Sequence, residues 1–589
     1  MNILGIVTKV HDSGIALLKD GVPHFVMEEE RFNREKHTMD FPFQALEAGF
    51  DGSFGVSFKD VDVITLPWHM GRLRRTLLGN VFGQMPDSLN LLRPMAHKTH
   101  SNAIVNLPMR LWLGLGSKYG FSGLPKITQV GHHESHASAF FVSPFEDATI
   151  LVMDGYGDES ATSAWSGRSN KIARVWADPF FDSIGMLYTM VTEHIGFKVF
   201  EEGTVMALAA CGGPTYREAF KDIIKLLPEG RIAINNDYLS YNTHGFLKPF
   251  QQKFYDVFGP ARSPSEPLTD RQRDIAYGLQ HVVEDAIIHM ARHLSKTQPS
   301  KNLVLSGGVA LNCVANGKIL ADTDYEAVWV PPIASDSGGP LGSALYHQHQ
   351  TLGAKRTFTL THAFYGKGFT DAEITRALDA AGLSYKRMEE KELLQQVARD
   401  LADQKIVGWF QGRAEMGPRA LGNRSILSDA RSNKMKDLIN ARIKHREAFR
   451  PFAPVVLIEK LSEYFEFSQP DPFMTMAPKI RADKLDLIPA AAHVDGTGRI
   501  QTIDRAANQR YYDVIAEYAK LTGIHVILNT SFNRQEPVVN KPEEAISCYL
   551  RTDMDRIVLG NFYVEDRNPA AIERAIASFK PPAAKTLKW

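Results

Sequence analysis

Residues 148–166 read ATILVMDGYGDESATSAWS, and residues 3–18 read ILGIVTKVHDSGIALL. In both stretches a short apolar run ends in a polar turn that contains aspartate and glycine, and a second strand-like segment follows. This alternation predicts a β-hairpin in each place, and Gly21 followed by HFVMEEE adds a third strand to the hairpin of residues 3–18. The recurrence predicts a duplicated β-rich unit, although the two stretches share little exact sequence.

Two more strands that lead into glycine turns are predicted later in the chain. NLVLSGGVALNCVANGKIL spans residues 302–320, and VWVPPIASDSGGPLGSALYHQ spans residues 328–348. Between the hairpins and these units, apolar residues recur with helical spacing over 270–296, which predicts a long amphipathic helix. The first part of the chain is therefore expected to be α/β.

The composition turns polar at 350–357, and we expect a domain boundary there. A chain of 589 residues is too long for one ordinary core, so at least two domains are expected. Helix and strand continue to alternate beyond the boundary, so the second domain is also expected to be α/β or α+β. Its predicted helices span 370–382 and 391–403, and its predicted strands span 405–410 and 524–529.

The composition is that of a soluble globular protein, with 44% hydrophobic and 23% charged residues. Lys plus Arg and Asp plus Glu each number 67, so the net charge of +0 gives no reason to expect a nucleic-acid or membrane partner. The three cysteines form no CxxC pair, which disfavours a disulfide framework or a thiolate zinc site. No signal peptide or apolar run of membrane-spanning length is evident, so we expect a cytoplasmic protein.

Four glycine-bearing turns follow the predicted strands. Glycine lets the backbone approach a ligand closely, and successive N–H groups in such turns can hold phosphate oxygens. No Walker A sequence or strand–GxGxxG–helix fingerprint is present, which disfavours P-loop and Rossmann folds. The turns lie around His11–Gly14, Asp154–Gly157, Ser306–Gly308 and Asp336–Gly339.

The order of these turns resembles the ATPase superfamily shared by actin, sugar kinases and the large heat-shock chaperones. In that superfamily two hairpin loops grip the phosphates of ATP, and a later Gly-Gly turn cradles the adenosine. The resemblance implies an actin-like fold for the first domain. It also implies that ATP contacts come from Asp12, Ser13, Gly155, Gly157, Ser306, Gly307, Gly308 and Asn312.

Residues 131–141 read GHHESHASAFF. His132 and His136 are four residues apart, so a helix places both imidazoles on one face, where they suit a divalent metal. A zinc-protease signature needs Glu directly after the first histidine, and His133 occupies that position. The alternative is that the histidines are surface or helix-capping residues.

Two aspartates at the ends of predicted strands, Asp154 and Asp336, can complete the metal site. Hard carboxylates together with two imidazoles favour Fe(II) or Mn over Ca, with Zn as a weaker option. The sequence therefore predicts a mixed histidine–carboxylate site for a divalent metal.

Longer motifs resemble the carbamoyltransferase family of nodulation-factor and antibiotic-tailoring enzymes over nearly the whole chain. In the first half they are HDSGIALL, EEERFNREKHTMDFP, GHHESHASAFF, LVMDGYGD, LSGGVALN and ASDSGGPLGSAL. In the second half they are FQGRAEMGPRALGNRSIL, IKHREAFRPFAPVVL and LNTSFN. The first domain of that family is similar to the universal tRNA threonylcarbamoyl-transfer protein, and the second to its acyl-adenylate-forming partner.

The resemblance implies two linked activities. Residues 356–589 would join carbamoyl phosphate and ATP into carbamoyl-adenylate with release of pyrophosphate. Residues 1–355, with the metal, would transfer the carbamoyl group to a hydroxyl of a small molecule, such as a sugar or a secondary metabolite. No nucleic-acid or membrane partner is implied, and a homodimer is one option for the assembly.

The predicted adenylate-forming site is rich in cations. Residues 411–450 contain ten Lys or Arg and four Asp or Glu. Arginine forks and lysine ammonium groups suit the phosphates of ATP and carbamoyl phosphate, whereas a solvated basic face or an RNA-binding patch is the alternative. The expected ligands are Arg413, Arg419, Arg424, Lys444, Arg446, Arg450, Asn529, Ser531 and Asn533, and analogy favours Lys444, Arg510 and Arg534 as the catalytic ones.

In the transfer domain, His11 is the candidate general base, because it lies in the first phosphate loop. Lys36 and His37 are expected to line the acceptor or phosphate site, and Glu202 is a further candidate. The stretch EEGTVMALAACG, residues 201–212, departs from the family pattern, since Thr204 replaces a lysine and Cys211 a tyrosine. The loss of the lysine indicates either a weaker nucleotide contact in the first domain or a different packing there.

Three other functions remain as alternatives. An actin-like kinase would transfer the γ-phosphoryl group of ATP, a chaperone-type protein would couple ATP to binding, and a tRNA-modifying enzyme would need a more basic surface. The acceptor itself is not readable, because residues 68–120 contain no recognisable motif.

Overall fold

The computed structural model describes residues 1–93, Ala96, Lys98 and 106–579. The chain folds into two compact units. The first comprises Met1–Glu29 and His37–Leu360, and the second comprises Glu30–Lys36 and, among the described residues, Thr361 to Phe579. The polar stretch 350–357 belongs to the first unit, and the functional division at residue 355 stays a prediction.

The first sheet of the first unit has five strands. They are β1 (Asn2–Val7), β2 (Gly14–Lys19), β3 (Val22–Glu28), β4 (Val63–Leu66) and β5 (Lys126–Gln129). Their spatial order is β3-β2-β1-β4-β5. Strand β1 is antiparallel to β2 and parallel to β4, because the hairpin reverses the chain and the later crossover restores its direction.

The second sheet repeats this topology. Its strands are β6 (Asp147–Met153), β7 (Ser160–Arg168), β8 (Lys171–Pro179), β11 (Asn302–Ser306) and β12 (Ala327–Trp329), in the order β12-β11-β6-β7-β8. Strand β6 is antiparallel to β7 and parallel to β11, as β1 is to β2 and β4. The predicted duplication and the actin-like, sugar-kinase-type α/β fold are therefore confirmed. A separate hairpin comprises β9 (Ile224–Leu226) and β10 (Ile232–Ile234).

The longest helix of the first unit begins with a capping box. Thr269 and Gln272 form this box, and apolar side chains at helical spacing are buried along the helix, as its periodicity predicts. The helices of this unit are α2 (Phe43–Gly49), α3 (Met70–Gly83), α4 (Leu107–Tyr119), α5 (His132–Ala137), α6 (Ile184–His194), α7 (Glu202–Ala209), α8 (Arg217–Ile223), α9 (Tyr241–His244), α10 (Gln252–Phe258), α11 (Asp270–Thr297), α12 (Cys313–Asn316), α13 (Ile319–Asp322) and α14 (Gly339–Leu345).

Helix α14 lies unusually close to α5 because of its small residues. A Cβ atom on Gly342 would lie 2.1 Å from the Ser135 carbonyl oxygen of α5, so only glycine fits there. A 3₁₀ turn, Asp336–Gly338, leads directly into α14. This packing brings the start of α14 to the helix that carries both predicted histidine ligands.

The second unit is built on one mixed sheet of eight strands. They are β13 (Lys386–Arg387), β14 (Val407–Phe410), β15 (Arg424–Asp429), β16 (Ala453–Leu457), β17 (Gln501–Ile503), β18 (Val526–Ser531), β19 (Arg556–Leu559) and β20 (Phe562–Val564). The order is β13-β20-β19-β14-β15-β18-β16-β17. The predicted α/β character of the second domain is confirmed.

Helices pack around this sheet, and helices α16 and α19 pack against each other. The helices of the second unit are α1 (Glu30–Asn33), α15 (Asp371–Ala381), α16 (Glu390–Ala402), α17 (Asn433–Ile439), α18 (Leu461–Tyr464), α19 (Gln509–Thr522), α20 (Pro542–Arg551) and α21 (Pro569–Ser578). Within the described part of the chain, none of the helices combines the length and the apolar character needed to cross a bilayer.

Residues 30–36 join the second unit through arginine contacts. Arg34 donates to the carbonyl oxygens of Pro537 and Val538 at 2.5 and 2.8 Å, and it pairs with Glu544 at 3.2 Å. Arg31 donates to the Gly417 carbonyl oxygen at 2.5 Å. These contacts give both arginines a structural role.

Candidate functional site

Four buried side chains of the first unit converge on one point. They are His132 and His136 of α5, Asp154 after β6 and Asp336 after β12, and one ligand atom from each lies within 4.8 Å of the others. Asp154 Oδ2 is 3.1 Å from His132 Nε2 and 3.0 Å from His136 Nε2. Asp336 Oδ1 lies 3.4 and 3.5 Å from the same nitrogens. The structure thus brings the four predicted metal ligands together.

This geometry fits a divalent metal. Ligands about 2.1 Å from a metal and at right angles to each other lie about 3 Å apart, close to the observed spacings. The outer nitrogens of both histidines face other partners, since His132 Nδ1 is 3.3 Å from the Pro67 carbonyl oxygen and His136 Nδ1 is 3.4 Å from Ser306 Oγ. Such contacts leave both Nε2 atoms directed at the centre.

The electrostatics of the cluster also suit a cation. Burial alone would lower the pKa of His132, but the charge of Asp336 and the hydrogen bond to Asp154 raise it well above its usual value. Burial would raise the pKa of Asp154, but the two histidines hold it well below its usual value. A metal that replaces the histidine protons would satisfy the same carboxylates. His133, between the two ligands, instead bonds to Ser163 Oγ at 2.6 Å.

Asp154 also joins two of the predicted phosphate loops. Its Oδ1 accepts hydrogen bonds from the backbone N–H of Gly155 at 2.7 Å and of Gly308 at 3.1 Å. In the loop Ser306–Gly308, Gly307 has a φ of +89°, and a Cβ atom on it would lie 2.1 Å from the Met153 carbonyl oxygen. The close approach of the two loops therefore requires glycine at this position.

The first predicted loop reaches the same centre through His11. His11 Nε2 is 3.6 Å from Asp336 Oδ2, and His11 Nδ1 is 3.0 Å from Asp12 Oδ2. Asp12 Oδ1 in turn lies 2.7 Å from His37 Nδ1, and the His37 ring stacks on Phe200 with centroids 4.2 Å apart. A histidine–aspartate–histidine chain thus leads to the metal-ligand cluster, and the neighbouring Ser13 is buried.

The charge of His11 predicts a pH dependence of folding in the metal-free protein. Burial alone would lower the pKa of His11, but Asp336 and Asp12 raise it to about 9. The pKa of His11 in the folded protein therefore exceeds its value of about 6.5 in the unfolded chain. Protonated His11 stabilises the fold fully below about pH 6.5, and this contribution is lost as the pH rises through about 9.

We expect His11→Gln to lower the free energy of unfolding by about 2 kcal/mol at pH 6 and by much less at pH 10. Urea unfolding with a chelator present measures this difference. An equal loss of stability at both pH values would contradict a protonated His11.

Two other predicted residues have local partners in the first unit. Glu202 accepts from Thr189 Oγ1 at 2.7 Å, and Asn312 caps α12 by accepting from Ala315 N at 3.1 Å. Thr204, which stands where the family pattern has a lysine, lies inside α7 and is 2% exposed.

Asp158, the last residue of DGYGD, lies at the site without having been predicted as one of its residues. Its carboxylate accepts from the backbone N–H of His132 at 2.8 Å and of His69 at 3.0 Å. Asp158 therefore joins the starts of α5 and α3, and its place in the quoted motif was the only sequence signal.

In the second unit, Lys444 ends a π-helical turn and is 2% exposed. Its Nζ donates to the Ser531 carbonyl at 2.5 Å, to Asn533 Oδ1 at 2.7 Å and to the Asn533 carbonyl at 2.9 Å. Burial lowers the pKa of Lys444 well below its usual value, and the charges of Arg446 and Lys36 add to this effect. The structure thus brings three predicted residues together, with the lysine holding the loop that follows β18.

Further cations act electrostatically on Lys444 or on its cationic neighbours. Burial lowers the pKa of Arg446 to about 9, and the charges of Arg450 and Arg499 contribute. Burial also lowers the pKa of Lys36, Glu30 partly opposes this, and Arg450 lowers it further. Arg499 lies outside the basic stretch 411–450 and had no sequence signal. We define the cation cluster as Lys36, Lys444, Arg446, Arg450 and Arg499.

Two predicted phosphate ligands instead bind backbone carbonyls. Arg424 is 0% exposed, and it donates to the carbonyl oxygens of Gln411 at 2.5 Å and of Lys367 at 3.2 Å, with its guanidinium over Phe410. Arg413 donates to the Tyr365 and Gly366 carbonyl oxygens at 2.7 and 2.9 Å. Both arginines hold loops of the second unit in place.

The remaining predicted residues of the second unit are dispersed. Arg510 donates to the Gly560 carbonyl oxygen at 2.8 Å and lies 3.3 Å from Glu390. Arg534 is exposed in the turn after β18, and Arg419 is partly exposed in the loop before β15. Asn529 donates to the Ala420 carbonyl oxygen at 3.0 Å, which ties β18 to that loop.

Two family models match successive parts of this chain. Residues 2–345 match the family model described as Carbamoyltransferase N-terminus, and residues 398–566 match the one described as Carbamoyltransferase C-terminus. An uncharacterized protein of Synechocystis sp. is 39% identical, with 95% of this chain and 96% of that protein covered. Nodulation protein NolNO of Sinorhizobium fredii is 34% identical, with 98% and 82% covered.

A crystal structure of HypF from T. kodakarensis is similar over 60% of this chain and 48% of that chain, with a TM-score of 0.30 and 14% identity, a level that carries no functional argument. The two family models together cover most of the sequence in the expected order. The chain therefore belongs to the carbamoyltransferase family and is an enzyme of that class.

Proposed function

We propose that this enzyme is an ATP-dependent O-carbamoyltransferase that works in two steps. Carbamoyl phosphate and water give carbamate and phosphate, and a carbamate oxygen attacks the α-phosphorus of ATP, so that carbamoyl-adenylate forms and pyrophosphate leaves. The hydroxyl oxygen of a small-molecule acceptor then attacks the carbamoyl carbon, and AMP leaves. The first step is assigned to the second unit and the transfer to the first.

The cation cluster carries the assignment of the first step. Burial, together with neighbouring cations of the cluster, lowers the pKa values of Lys36, Lys444 and Arg446, so the fold brings positive charges together at this place. Carbamoyl phosphate and ATP supply the anionic charge that would compensate them, and arginine forks bind phosphate oxygens in pairs. Preorganised positive charge is also what stabilises the charge that develops on the phosphates.

Within the cluster, Lys444 is proposed to act differently from the arginines. Its hydrogen bonds go to the segment that contains Ser531 and Asn533, so it positions this loop. Arg446, Arg450 and Arg499 are proposed to hold phosphate oxygens, and Arg446 is positioned by its donation to Asn440 Oδ1 at 2.9 Å and to the Pro451 carbonyl oxygen at 3.3 Å. Arg419 and Arg534, which are at least partly exposed, are proposed as further contacts at the edge of the site.

The transfer step is assigned to the metal-ligand cluster and His11. A divalent ion held by His132, His136, Asp154 and Asp336, with Fe(II) or Mn favoured and Zn as an option, would polarise a carbonyl or phosphoryl oxygen. A cation on Asp336 would neutralise the charge that raises the pKa of His11, so that His11 can take the proton of the acceptor hydroxyl at Nε2 while Asp12 holds its Nδ1. Asp12, Ser13, Gly155, Gly157, Glu202, Ser306–Gly308 and Asn312 are proposed to contact the nucleotide.

Pyrophosphate release tests the first step. With ATP and carbamoyl phosphate but no acceptor, we expect pyrophosphate and phosphate in equal amounts, and no pyrophosphate without carbamoyl phosphate. Arg499→Met is expected to reduce the rate by about a hundredfold or more, because it removes a charge that acts on the phosphates.

Arg481→Met is the matched control, because Arg481 is half exposed and lies 3.4 Å from Asp483. Its rate should equal that of the unmodified enzyme. Formation of ADP in place of pyrophosphate would contradict carbamoyl-adenylate formation and would favour the kinase alternative.

A further inference from the structure

Helix α4 is apolar on two of its faces. Its inner face consists of Leu107, Leu111 and Leu115, which recur every four residues and are 0% exposed. Its outer face carries Met109, Trp112 and Leu113, which are 54, 45 and 44% exposed. A helix that is apolar all round is normally buried on all sides, so the outer face of α4 needs a partner.

Exposed apolar side chains also occur on α3 and on the 3₁₀ turn after it, Asp87–Leu92. Leu78 and Phe82 lie four residues apart on α3, which places them on one face, and they are 56 and 70% exposed. Arg74 of α3 donates to Asn106 Oδ1, next to the start of α4, at 3.3 Å, so the beginning of α4 lies beside α3.

We define the α3–α4 surface by its exposed apolar side chains, which are Leu78, Phe82, Met85, Leu89, Leu92, Met109, Trp112, Leu113 and Phe121. These nine are among 23 exposed large apolar side chains in the described part of the chain, and they fall within 44 consecutive positions. Scattered apolar side chains are ordinary on a protein surface, but such a concentration indicates an interaction site.

The charge of this region is as uneven as its hydrophobicity. Residues 68–121 contain seven Lys or Arg and one acidic residue, Asp87, a net charge of +6 in a chain whose total is +0. Arg74, Arg75, Arg93 and Arg110 are exposed. The other three cations, Arg72, Lys98 and Lys118, lie near the carboxylates of Glu134, Glu193 and Glu47. The partner is therefore expected to be anionic as well as apolar.

Two classes of partner fit this combination poorly. A symmetric dimer through the surface would place the exposed arginines of one copy against those of the other, which is repulsive. A nucleic acid would use the arginines, but most of the apolar side chains are aliphatic and offer no ring on which bases could stack.

An anionic bilayer uses both features at once. Leucine, phenylalanine and tryptophan side chains enter the boundary between headgroups and acyl chains, and arginines contact lipid phosphates. We propose that the α3–α4 surface binds the face of an anionic lipid membrane, with α4 lying in the plane of the interface. The net charge of +0 for the whole chain gave no reason to expect a membrane partner, because the local excess of +6 in residues 68–121 is balanced by acidic residues elsewhere. The proposal does not depend on carbamoyl transfer.

Co-sedimentation of the full-length protein with vesicles tests the membrane proposal. We expect binding to vesicles of phosphatidylcholine mixed with phosphatidylglycerol, little binding to phosphatidylcholine alone, and weakening as salt is added. The double variant Arg75→Glu, Arg110→Glu should bind at least about tenfold more weakly, because each cation near an anionic surface contributes a factor of about five. Trp112→Ser should also weaken binding, because it removes an apolar group from the interface.

The matched control is Arg387→Glu combined with Val175→Ser, since both side chains are exposed elsewhere. It should bind vesicles like the unmodified protein, and all variants should form pyrophosphate at the normal rate. Absence of binding to the anionic vesicles, or binding that Arg75→Glu, Arg110→Glu leaves unchanged, would overturn the proposal. A concentration-dependent dimer that Trp112→Ser dissociates would instead assign the surface to a second copy.

Discussion

Asp336→Asn is expected to lower the affinity for a divalent metal by about a hundredfold or more and to abolish measurable carbamoyl transfer. Loss of a group that only orients a metal ligand typically lowers metal affinity by about 10- to 100-fold. A larger effect is expected for Asp336, because it lies in the ligand cluster itself. Its Oδ1 is 3.4 and 3.5 Å from the two histidine nitrogens, so an amide would replace a charged ligand with a neutral one. Metal titration by calorimetry and carbamoyl-product analysis measure the two effects.

The same variant separates the two proposed steps. Pyrophosphate release should continue in Asp336→Asn, because the cation cluster belongs to the second unit. His289→Asn is the control, since His289 lies on α11 and faces the Leu227 carbonyl oxygen at 2.8 Å. It should keep both the metal and the activity. Normal metal affinity in Asp336→Asn would show that the four-residue cluster is not the metal site.

Much of the first unit could be predicted because its signals are local. The hairpins β1–β2 and β6–β7 follow from short alternating runs, and the spacing of His132 and His136 requires only one turn of helix. Asp154 and Asp336 could be added because both follow predicted strands, and β6 and β12 run in the same direction in one sheet, so their carboxyl ends lie at the same edge. These inferences need no knowledge of distant contacts.

The second unit shows where such reasoning ends. A basic stretch does not reveal which arginines face a ligand, because that depends on carbonyl groups supplied by other loops. Arg424 donates to the carbonyl oxygens of Gln411 and Lys367, whereas Arg446 donates to Asn440 Oδ1 and the Pro451 carbonyl oxygen and is also repelled by Arg450 and Arg499. Residues 30–36 continue directly from β3 in sequence, yet Arg34 finds its partners about 500 residues later. Sequence patterns of short range contain no signal for either feature.

Lys444→Met is expected to reduce both pyrophosphate formation and the stability of the second unit. The variant leaves the carbonyl oxygens of Ser531 and Asn533 without their buried donor. Each unsatisfied buried acceptor lowers the free energy of unfolding by about 1–3 kcal/mol. It also relieves the cost of burying an ammonium group beside Arg446, which offsets part of this loss. The net destabilisation should be about 2 kcal/mol at neutral pH, measured by urea unfolding.

The pH dependence of this loss distinguishes a lysine that holds the loop from one that only binds substrate. The pKa of Lys444 is depressed in the fold, so the unfolded chain binds a proton more tightly, and the contribution of Lys444 to stability increases as the pH rises toward about 10. The deficit of Lys444→Met should therefore grow with pH. Arg446→Met, the comparison variant, removes a repulsive charge but also the donor to Asn440 Oδ1 and to the Pro451 carbonyl oxygen, so it should lose pyrophosphate formation with a stability loss that does not grow with pH below about 9. Unchanged stability in Lys444→Met, together with lost activity, would make Lys444 a direct substrate ligand, as the sequence predicts.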